Sequence, residues 1–391
     1  MALNVVSSDR LSTNVKTSNL ATGLSSKVGE SKNIIINGAM NVAQRGTSST
    51  STGYKTVDRF KLDTGGTDEA VTQAQHALTS SDTGPWAKGF RSSYHLTNGN
   101  QTGGAGAADW VEIQYNVEAR DLANSGWDYT STSSDITISF WAQASVAQTY
   151  YVYLQSLDGT GQLYAFSFAL SANTWTKVTK TIPGAANVAI DNNNGNGLRI
   201  GIVPFYGTDY TTSGFTLNTW AAHTSRNMLP DNTSTWYTTN DATFEITGLQ
   251  LEVGDTATEF EHSSYADDLI RCLRYCYCAC AKPNDPVAIG AASSADYALF
   301  TVRFPVPMRA EPSMEAVSGG SGVEQWELMP PGNSSAYFAA LNGTGRASLT
   351  AFNVRANISS NFTAKQAYFL NNANAGGTDA VPKGLIFNAE F

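Results

Sequence analysis

The stretch FEITGLQLEV, from Phe244 to Val253, carries the hydrophobic pattern that decides the fold. Apolar residues alternate with polar ones, as they do in a β-strand with one buried face. Gly248 shifts this alternation by one residue, as a β-bulge would. The stretch therefore predicts a bulged strand in a sheet that is covered on one side.

Several carboxylates follow at the end of this strand and in the next turn, namely Glu252, Asp255, Glu259 and Glu261. The acid/base carboxylates of a glycosidase face each other across a cleft, usually from separate strands or loops. A cluster along one short segment is poor evidence for such a pair. We interpret it as a structural turn in which Asp255 and Thr256 satisfy backbone donors.

Short apolar runs separated by turn residues extend in both directions from this strand, including WVEIQYNVE, YYVYLQS, YAFSFAL and LRIGIVPFY. In Ile136–Gln143, apolar Ile136, Ile138, Phe140 and Ala142 alternate with Thr137, Ser139, Trp141 and Gln143. Strands with one buried face pack best as two sheets. The sequence predicts an all-β protein, with a jelly roll or sandwich favoured over a parallel sheet covered by helices.

Changes in composition and in hydrophobic pattern along the chain divide it into four parts. Residues 1–32 form a polar segment, for which a docking anchor and a disordered tail are both open alternatives. We predict a jelly-roll β-sandwich over 33–262, a connecting helix and linker over 263–286, and a smaller C-terminal β-sandwich over 287–391.

The connecting segment HSSYADDLIRCLRYC is the main helical candidate, with Ser263 or Ser264 as its cap. Acidic residues suit the first turn of such a helix. The spacing predicts one apolar face, formed by Tyr265, Leu269, Leu273 and Cys276.

The charge balance excludes two classes of partner. The formal net charge is -9, and no run is rich in Lys or Arg. Nucleic acid and anionic membranes both attract clustered positive charge, so neither is an expected partner. The first residues show no secretory signal, and no apolar run is long enough to span a bilayer. We therefore expect synthesis in the cytosol.

Metal and cofactor sites are not predicted. The thiols cluster within nine residues, whereas zinc sites normally use two separated knuckles; Cys272, Cys276, Cys278 and Cys280 are interpreted as buried thiols. The histidines His76, His95, His223 and His262 show no ligand pairing, and no nucleotide or catalytic motif is present. The sequence carries no enzyme signature.

Aromatic residues are the most suggestive feature, with 8 Trp and 17 Tyr in a chain rich in amides. Flat aromatic rings beside amides and carboxylates suit the apolar faces and hydroxyls of a sugar. Trp141 and Trp175 lie in strand-like runs and are predicted to be core residues. The glycan-binding candidates lie in or near polar loops, with ordinary packing as the alternative for each: Trp127, Tyr129, Tyr206, Tyr210 and Trp326.

Long motifs in a fixed order resemble the carbohydrate-binding-module-like jelly roll of phage tail fibres and related virion proteins. They are IIINGAMNVAQRG, TVDRF, ITISFWAQAS, TWTKVTKTI and FEITGLQLEVGDTATEFEHSSYADDLIRCLRYC, and they cover about residues 33 to 280. FPVPMRAEPS and LIFNAEF are similar to the C-terminal domain that commonly follows, most often in marine and cyanobacterial phages. This chain departs from the pattern at Cys276, Cys278 and Cys280, where family members usually carry Tyr.

The resemblance implies a homotrimeric tail fibre, assembled in the host cytoplasm and located in the virion. Residues 1–32 would attach to a tail or baseplate protein, and the fibre would bind host surface polysaccharide without cleaving it. Two alternatives stay open: a tail-borne polysaccharide depolymerase, and a purely structural spacer or decoration protein that touches no receptor.

Overall fold

The computed structural model describes residues 32–232, 234–279, 286–317, 326–330, 336–338, 341–357, 363–372 and 384–391. The predicted anchor, apart from Lys32, lies outside the described residues. Strands dominate the described part of the chain, and their ladders are antiparallel except for one two-residue pair. The predicted all-β class is confirmed.

The first unit is built from strands between Ser48 and Val253. In chain order they are β1 (Ser48–Ser49), β2 (Phe60–Gly65), β3 (Thr72–Ala77), β4 (Ser92–Thr97), β5 (Trp110–Glu118), β6 (Asp135–Ala144), β7 (Gln148–Ser156), β8 (Gln162–Leu170), β9 (Thr176–Pro183), β10 (Asn196–Tyr206), β11 (Thr211–Thr212), β12 (Ala221–Ala222), β13 (Leu229–Pro230) and β14 (Thr243–Val253).

Two six-stranded sheets pack face to face in this unit. The first sheet has the order β1-β3-β4-β14-β6-β9 and the second has the order β12-β8-β7-β10-β5-β2. One large core lies between them, to which the first sheet contributes Phe140 and Phe244 and the second contributes Tyr115 and Ile200. These side chains come from the apolar positions of the alternating runs, because every second residue of a strand points to the same face.

Strand β14 contains the predicted bulge. Its register against β6 shifts between Thr247 and Gln250, and Gly248 lies in the left-handed region with φ of 66°. A side chain at Gly248 would also meet the ring of Phe90 at 2.5 Å. Glycine is needed here because only glycine tolerates both this backbone conformation and this close approach.

The second unit is smaller and is described in pieces. Its strands are β15 (Cys276–Ala279), β16 (Pro286–Ala292), β17 (Tyr297–Arg303), β18 (Ser313–Val317), β19 (Trp326–Met329), β20 (Ala336–Phe338), β21 (Leu341–Ala347), β22 (Ala351–Asn357), β23 (Ala367–Asn372) and β24 (Gly384–Asn388). Within the described residues they form the sheets β15-β24-β18 and β20-β19-β23-β16-β17-β22-β21, with a core that includes Trp326, Phe300 and Phe387. The domain boundaries remain a prediction; β15, which lies in the predicted linker, pairs with β24.

Two α-helices occur in the described part of the chain, α1 (Ala119–Ala123) and α2 (Tyr265–Leu273). Helix α2 is the predicted connecting helix, and the Ser264 hydroxyl caps it by accepting a hydrogen bond from the Asp267 backbone N–H. The predicted apolar face is wrong at Tyr265, which is exposed, whereas Leu269 packs in a small cluster and Cys276 is buried. Asp268 and Cys272 are buried as well. Asp268 tolerates burial because the Ser263 hydroxyl donates a hydrogen bond to its carboxylate at 2.7 Å.

The cysteines that the structure describes behave as predicted. Cys272 and Cys276 are buried free thiols, and Cys278 is half-buried. Burial raises the pKa of each thiol above its ordinary value, which keeps the thiol protonated and unreactive. Cys280 lies outside the described residues.

The carboxylates after β14 make local contacts, as the structural interpretation requires, although the partners differ from those predicted. Asp255 accepts from the Thr256 hydroxyl rather than from a backbone donor. Glu252 accepts from both the backbone N–H and the hydroxyl of Thr258, at 2.8 and 2.7 Å. Glu261 accepts from the backbone N–H of Asn33 at 2.7 Å, which ties the start of the jelly roll to its exit.

Buried polar contacts join the two units. Glu390, next to the last residue, forms an ion pair with Arg59, and both side chains are 1% exposed. Arg274, which lies between α2 and β15 and is 32% exposed, donates two hydrogen bonds to the buried Glu118 of β5, from Nε at 2.9 Å and from Nη2 at 2.5 Å. The C-terminal residues therefore close a cluster that begins in the first loop of the jelly roll.

Among the described helices, none has the length and apolar character needed to cross a bilayer.

Candidate functional site

A cavity of about 160 Å³ opens on the outer face of the first sheet, opposite the core. Its lining combines aromatic rings with charged side chains. We call this site the aromatic groove, and define it by Lys88, Phe90, Trp141, Lys177, Glu259, Phe260 and His262.

Trp141 forms the partly exposed wall of the aromatic groove. It lies on β6 between the inward-facing Phe140 and Ala142, so strand alternation directs its ring away from the core. Lys177 lies directly opposite Trp141 on β9. The prediction that Trp141 is a core residue is wrong, whereas Trp175 is buried at 9% exposure in a small cluster outside the main core.

The other wall of the groove comes from the loop before β4, which carries Phe90, and from the segment after β14, which carries Phe260 and His262. Phe90 and Phe260 pack edge to face with centroids 4.8 Å apart, and the ring of His262 lies 4.9 Å from Phe260. Gly248 allows this arrangement, because its missing side chain leaves room for the Phe90 ring. The bulge in β14 thus shapes the groove as well as the strand.

Polar groups surround the rings. Nε2 of His262 lies 2.8 Å from the Lys88 carbonyl oxygen, which can only accept, so Nε2 carries the proton. In the neutral ring, Nδ1 then remains an acceptor. Lys88 and Glu259 form an exposed ion pair at 3.4 Å, which holds them weakly, since such pairs are worth about 0–1 kcal/mol. Both side chains can exchange this partner for a ligand.

The five aromatic residues singled out by the sequence lie elsewhere, and glycan binding by them stays a prediction. Trp127 is 3% exposed and donates from Nε1 to the Ser134 carbonyl at 3.0 Å. Tyr129 is half-buried beside it and donates to the Ile190 carbonyl at 3.1 Å. The structure brings these two together, but Trp127 has no free ring face for a sugar.

The remaining candidates fall into two places. Tyr206 is buried, and half-buried Tyr210 packs against it with centroids 5.5 Å apart and against Trp110 at 5.6 Å. Trp326 is 0% exposed in the core of the second unit. Of the five, Tyr129 and Tyr210 keep some exposed ring, whereas Trp127, Tyr206 and Trp326 are occupied by packing.

A buried carboxyl group lies beside Tyr206. Glu112 accepts hydrogen bonds from the hydroxyls of Tyr153 and Tyr206, at 2.7 and 2.8 Å, and from Nε2 of Gln114 at 2.5 Å. Burial raises the pKa of Glu112 above its ordinary value, although these donors oppose the shift. Because Glu112 is 4% exposed and fully bonded, we interpret it as a structural anchor of the second sheet.

The structure also assembles a cluster that the sequence did not indicate. His76, His95 and Glu245 place one potential ligand atom each within 4.8 Å of one another. Burial raises the pKa of Glu245, but the close approach of His95, with the Ser93 hydroxyl and His76, outweighs burial and lowers the pKa to about 2. His76 and Glu245 are 169 residues apart, so sequence spacing carried no signal for this cluster.

Comparison with known proteins finds similarity among solved structures alone. No protein-family model and no curated protein match the sequence. Among solved structures, the chain is similar to the enzymatically active domain of tailspike protein 4 of bacteriophage CBA120, at 11% identity and a TM-score of 0.31 over 57% of this chain and 22% of that chain. The chain thus spans about a fifth of that tailspike chain.

Isolated sugar-binding modules also match. The N-terminal cellulose-binding domain of a β-1,4-glucanase from Cellulomonas fimi shows 13% identity and a TM-score of 0.26, over 56% of this chain and 99% of that chain. The family 11 carbohydrate-binding module of a Clostridium thermocellum cellulase shows 11% identity and a TM-score of 0.26, over 56% and 98%. Similarities this distant carry no inference about what the chain binds.

Proposed function

We propose that the protein is a bacteriophage tail-fibre adhesin that binds a glycan of the host cell surface in the aromatic groove, without cleaving it. The observation that carries this proposal is the outward-facing ring of Trp141, set in a cavity of about 160 Å³ between cationic Lys177 and the Lys88–Glu259 pair. The order of motifs from Ile34 to Cys280, which resembles the jelly roll of tail fibres, supports the virion assignment.

The groove has the chemistry that a sugar ring requires. A pyranose presents apolar C–H groups on its faces, which stack on an aromatic side chain, and hydroxyls at its edge, which bond to charged and amide groups. Small-molecule sites usually exceed about 300 Å³, so a cavity of about 160 Å³ accommodates one ring of a polymer rather than several. The proposed ligand is therefore a surface polysaccharide, of which each groove binds a single sugar ring.

One such contact is weak, and an adhesin gains strength by repeating it. A homotrimer would present three grooves to a repeating polymer, and linked sites raise avidity by orders of magnitude without new contacts. Trimerisation, attachment of residues 1–32 to a tail or baseplate protein, and location in the virion are parts of this proposal.

The proposal also includes binding without hydrolysis of the glycan. Glycoside hydrolysis usually uses two carboxyl groups about 5–9.5 Å apart across the scissile bond. Glu259 is the acidic residue in the described lining of the groove, and it pairs with Lys88. This composition favours reversible binding over cleavage.

Binding of the labelled full-length protein to intact host cells and to their purified surface polysaccharide tests the proposal. Trp141→Ala removes the stacking surface, and Tyr265→Ala is the matched control, because Tyr265 is an exposed aromatic outside the groove. Burying an aromatic ring is worth roughly 1.5–3 kcal/mol, so Trp141→Ala should weaken binding about tenfold or more. The control should bind like the wild type.

Three outcomes would contradict the proposal, each in a different way. Equal binding by Trp141→Ala and the wild type would remove the groove as the site. Release of reducing ends from the polysaccharide would establish a depolymerase. Failure of the wild type to bind any susceptible host would favour a structural spacer.

A further inference from the structure

Two histidines and a glutamate meet on three adjacent strands of the first sheet, on the same outer face as the aromatic groove. His95 on β4 lies directly opposite Glu245 on β14, and His76 on β3 lies opposite Ser93 on β4. The neighbours Tyr94, Phe244 and Ile246 are buried in the core, so alternation turns the imidazoles and the carboxylate outward.

The three side chains converge on one point. Nδ1 of His76 lies 3.1 Å from Oε2 of Glu245, and Nδ1 of His95 lies 2.8 Å from Oε1. A tetrahedral ion with bonds of about 2.0–2.1 Å holds its ligand atoms about 3.3 Å apart. Small rotations of the side chains would therefore bring these atoms to coordination distance.

The hydrogen bonds of His95 leave its inner nitrogen available. Nε2 lies 3.0 Å from the Thr97 hydroxyl oxygen. Nδ1 is buried and lies 2.8 Å from Oε1 of Glu245, but among the residues that the structure describes it has no hydrogen-bond partner of acceptable geometry. If Nε2 carries the proton and donates a hydrogen bond to the Thr97 hydroxyl oxygen, the lone pair of Nδ1 and a carboxylate oxygen of Glu245 face each other, and a cation between them relieves the repulsion.

We propose that His76, His95 and Glu245 form a binding site for a divalent transition-metal ion, with Zn²⁺ as the preferred ion and Thr97 as a positioning residue. Two imidazoles and one carboxylate suit zinc and the later first-row metals, whereas Ca²⁺ and Mg²⁺ prefer all-oxygen ligands. A hydrogen bond from the second imidazole nitrogen to a neighbouring group is typical of metal-binding histidines.

The site would be open on one side. The side chain of His76 is 50% exposed, whereas those of His95 and Glu245 are 17% and 9% exposed. Three protein ligands leave a fourth tetrahedral position, which faces solvent and takes water or an oxygen of a bound ligand. The ion would also link strands far apart in sequence and so stabilise the folded state.

The competing interpretation is a metal-free network in which a protonated imidazole neutralises Glu245, with the Ser93 hydroxyl donating to Oε2 at 2.7 Å. Titration of the chelator-treated full-length protein with Zn²⁺, followed by calorimetry, separates the two. We expect one ion per chain for the wild type. His76→Ala, His95→Ala and Glu245→Gln should each weaken binding at least about tenfold, and Thr97→Val should weaken it about 10- to 100-fold.

Titration with Co²⁺ supplies a second measurement, because its visible absorption reports the number and type of ligands. We expect the bands of a four-coordinate nitrogen and oxygen site, lost in His76→Ala. That side chain is half exposed, so its removal should leave the fold intact, as circular dichroism would verify. The control His223→Ala changes a histidine at the edge of the second sheet and should bind both ions like the wild type.

Two results would overturn the proposal. Failure of the wild type to bind Zn²⁺ or Co²⁺ at millimolar concentration would leave the hydrogen-bonded network. Equal binding by the wild type and by all three ligand variants, or a Co²⁺ spectrum with sulfur-to-metal bands, would place the ion on other groups such as the cysteines.

Discussion

Glu390→Gln should destabilise the folded state strongly, because it removes one charge from a buried cluster while keeping the shape of the side chain. Glu390 pairs with Arg59, and its second oxygen, Oε1, lies 3.8 Å from Nη1 of Arg45. Asp58 lies 3.9 Å from the same atom of Arg45, so two cations and two anions share the site. Glutamine leaves one of the cations without a counter-charge.

The contacts around Arg59 set the size of the stability loss expected for Glu390→Gln. Removing one partner of a buried ion pair typically costs about 3–5 kcal/mol. Arg59 keeps a hydrogen bond from Nη2 to the Asn116 carbonyl at 2.6 Å and a stacking contact with Tyr275, whose ring centroid is 3.5 Å from its Cζ atom. These contacts offset part of the loss without neutralising the charge, so we expect about 3 kcal/mol.

Urea denaturation followed by tryptophan fluorescence measures this loss as a change in the free energy of unfolding. Glu315→Gln is the matched control, because Glu315 forms an exposed pair with Lys55 at 3.6 Å and exposed pairs contribute about 0–1 kcal/mol. The double variant Arg59→Met with Glu390→Gln should recover part of the stability, since it removes the isolated cation. A loss in Glu390→Gln no larger than that of Glu315→Gln would refute the reasoning.

Three further predictions follow from buried residues. Trp127→Ala should lower the free energy of unfolding by about 3–5 kcal/mol, because Trp127 is 3% exposed in the main core; a loss below about 1 kcal/mol in thermal unfolding would contradict this placement. Gly248→Ala should lower the free energy of unfolding by about 2 kcal/mol or more and weaken glycan binding, because the new methyl group meets Phe90 at a backbone position with φ of 66°. An unchanged melting temperature and unchanged binding would argue against this prediction. Burial raises the pKa of Glu118, but hydrogen bonds from Arg274 and Tyr275 and the Arg274 charge outweigh burial and lower the pKa below its ordinary value. The contribution of Glu118 to the free energy of unfolding is therefore present above the unfolded pKa of about 4.3 and is lost as pH falls through the folded pKa. The stability difference between the wild type and Glu118→Gln should therefore shrink below about pH 4.3, and a difference that stays constant would contradict this.

The sequence determined the features that depend on neighbouring residues. Alternation with a period of two fixed which face of β6 and β14 points into the main core, and Gly248 marked the bulge because few other residues tolerate its backbone conformation. Ser264 marked the start of α2 in the same way, since its hydroxyl caps the helix. Such signals act within a few residues, so they can be recognised without a structure.

Tertiary structure decided which of these residues form a site. The strand-like run predicted a core position for Trp141, whereas the structure places its ring on the face opposite Phe140, where the loops carrying Phe90 and Phe260 form a groove. Packing against Ile36 and Val42, in the segment before β1, explains why α2 buries Cys272 rather than Tyr265. His76 and Glu245 are 169 positions apart, and Arg59 and Glu390 are 331 positions apart. Their proximity depends on strand order and chain closure, which no local pattern in the sequence encodes.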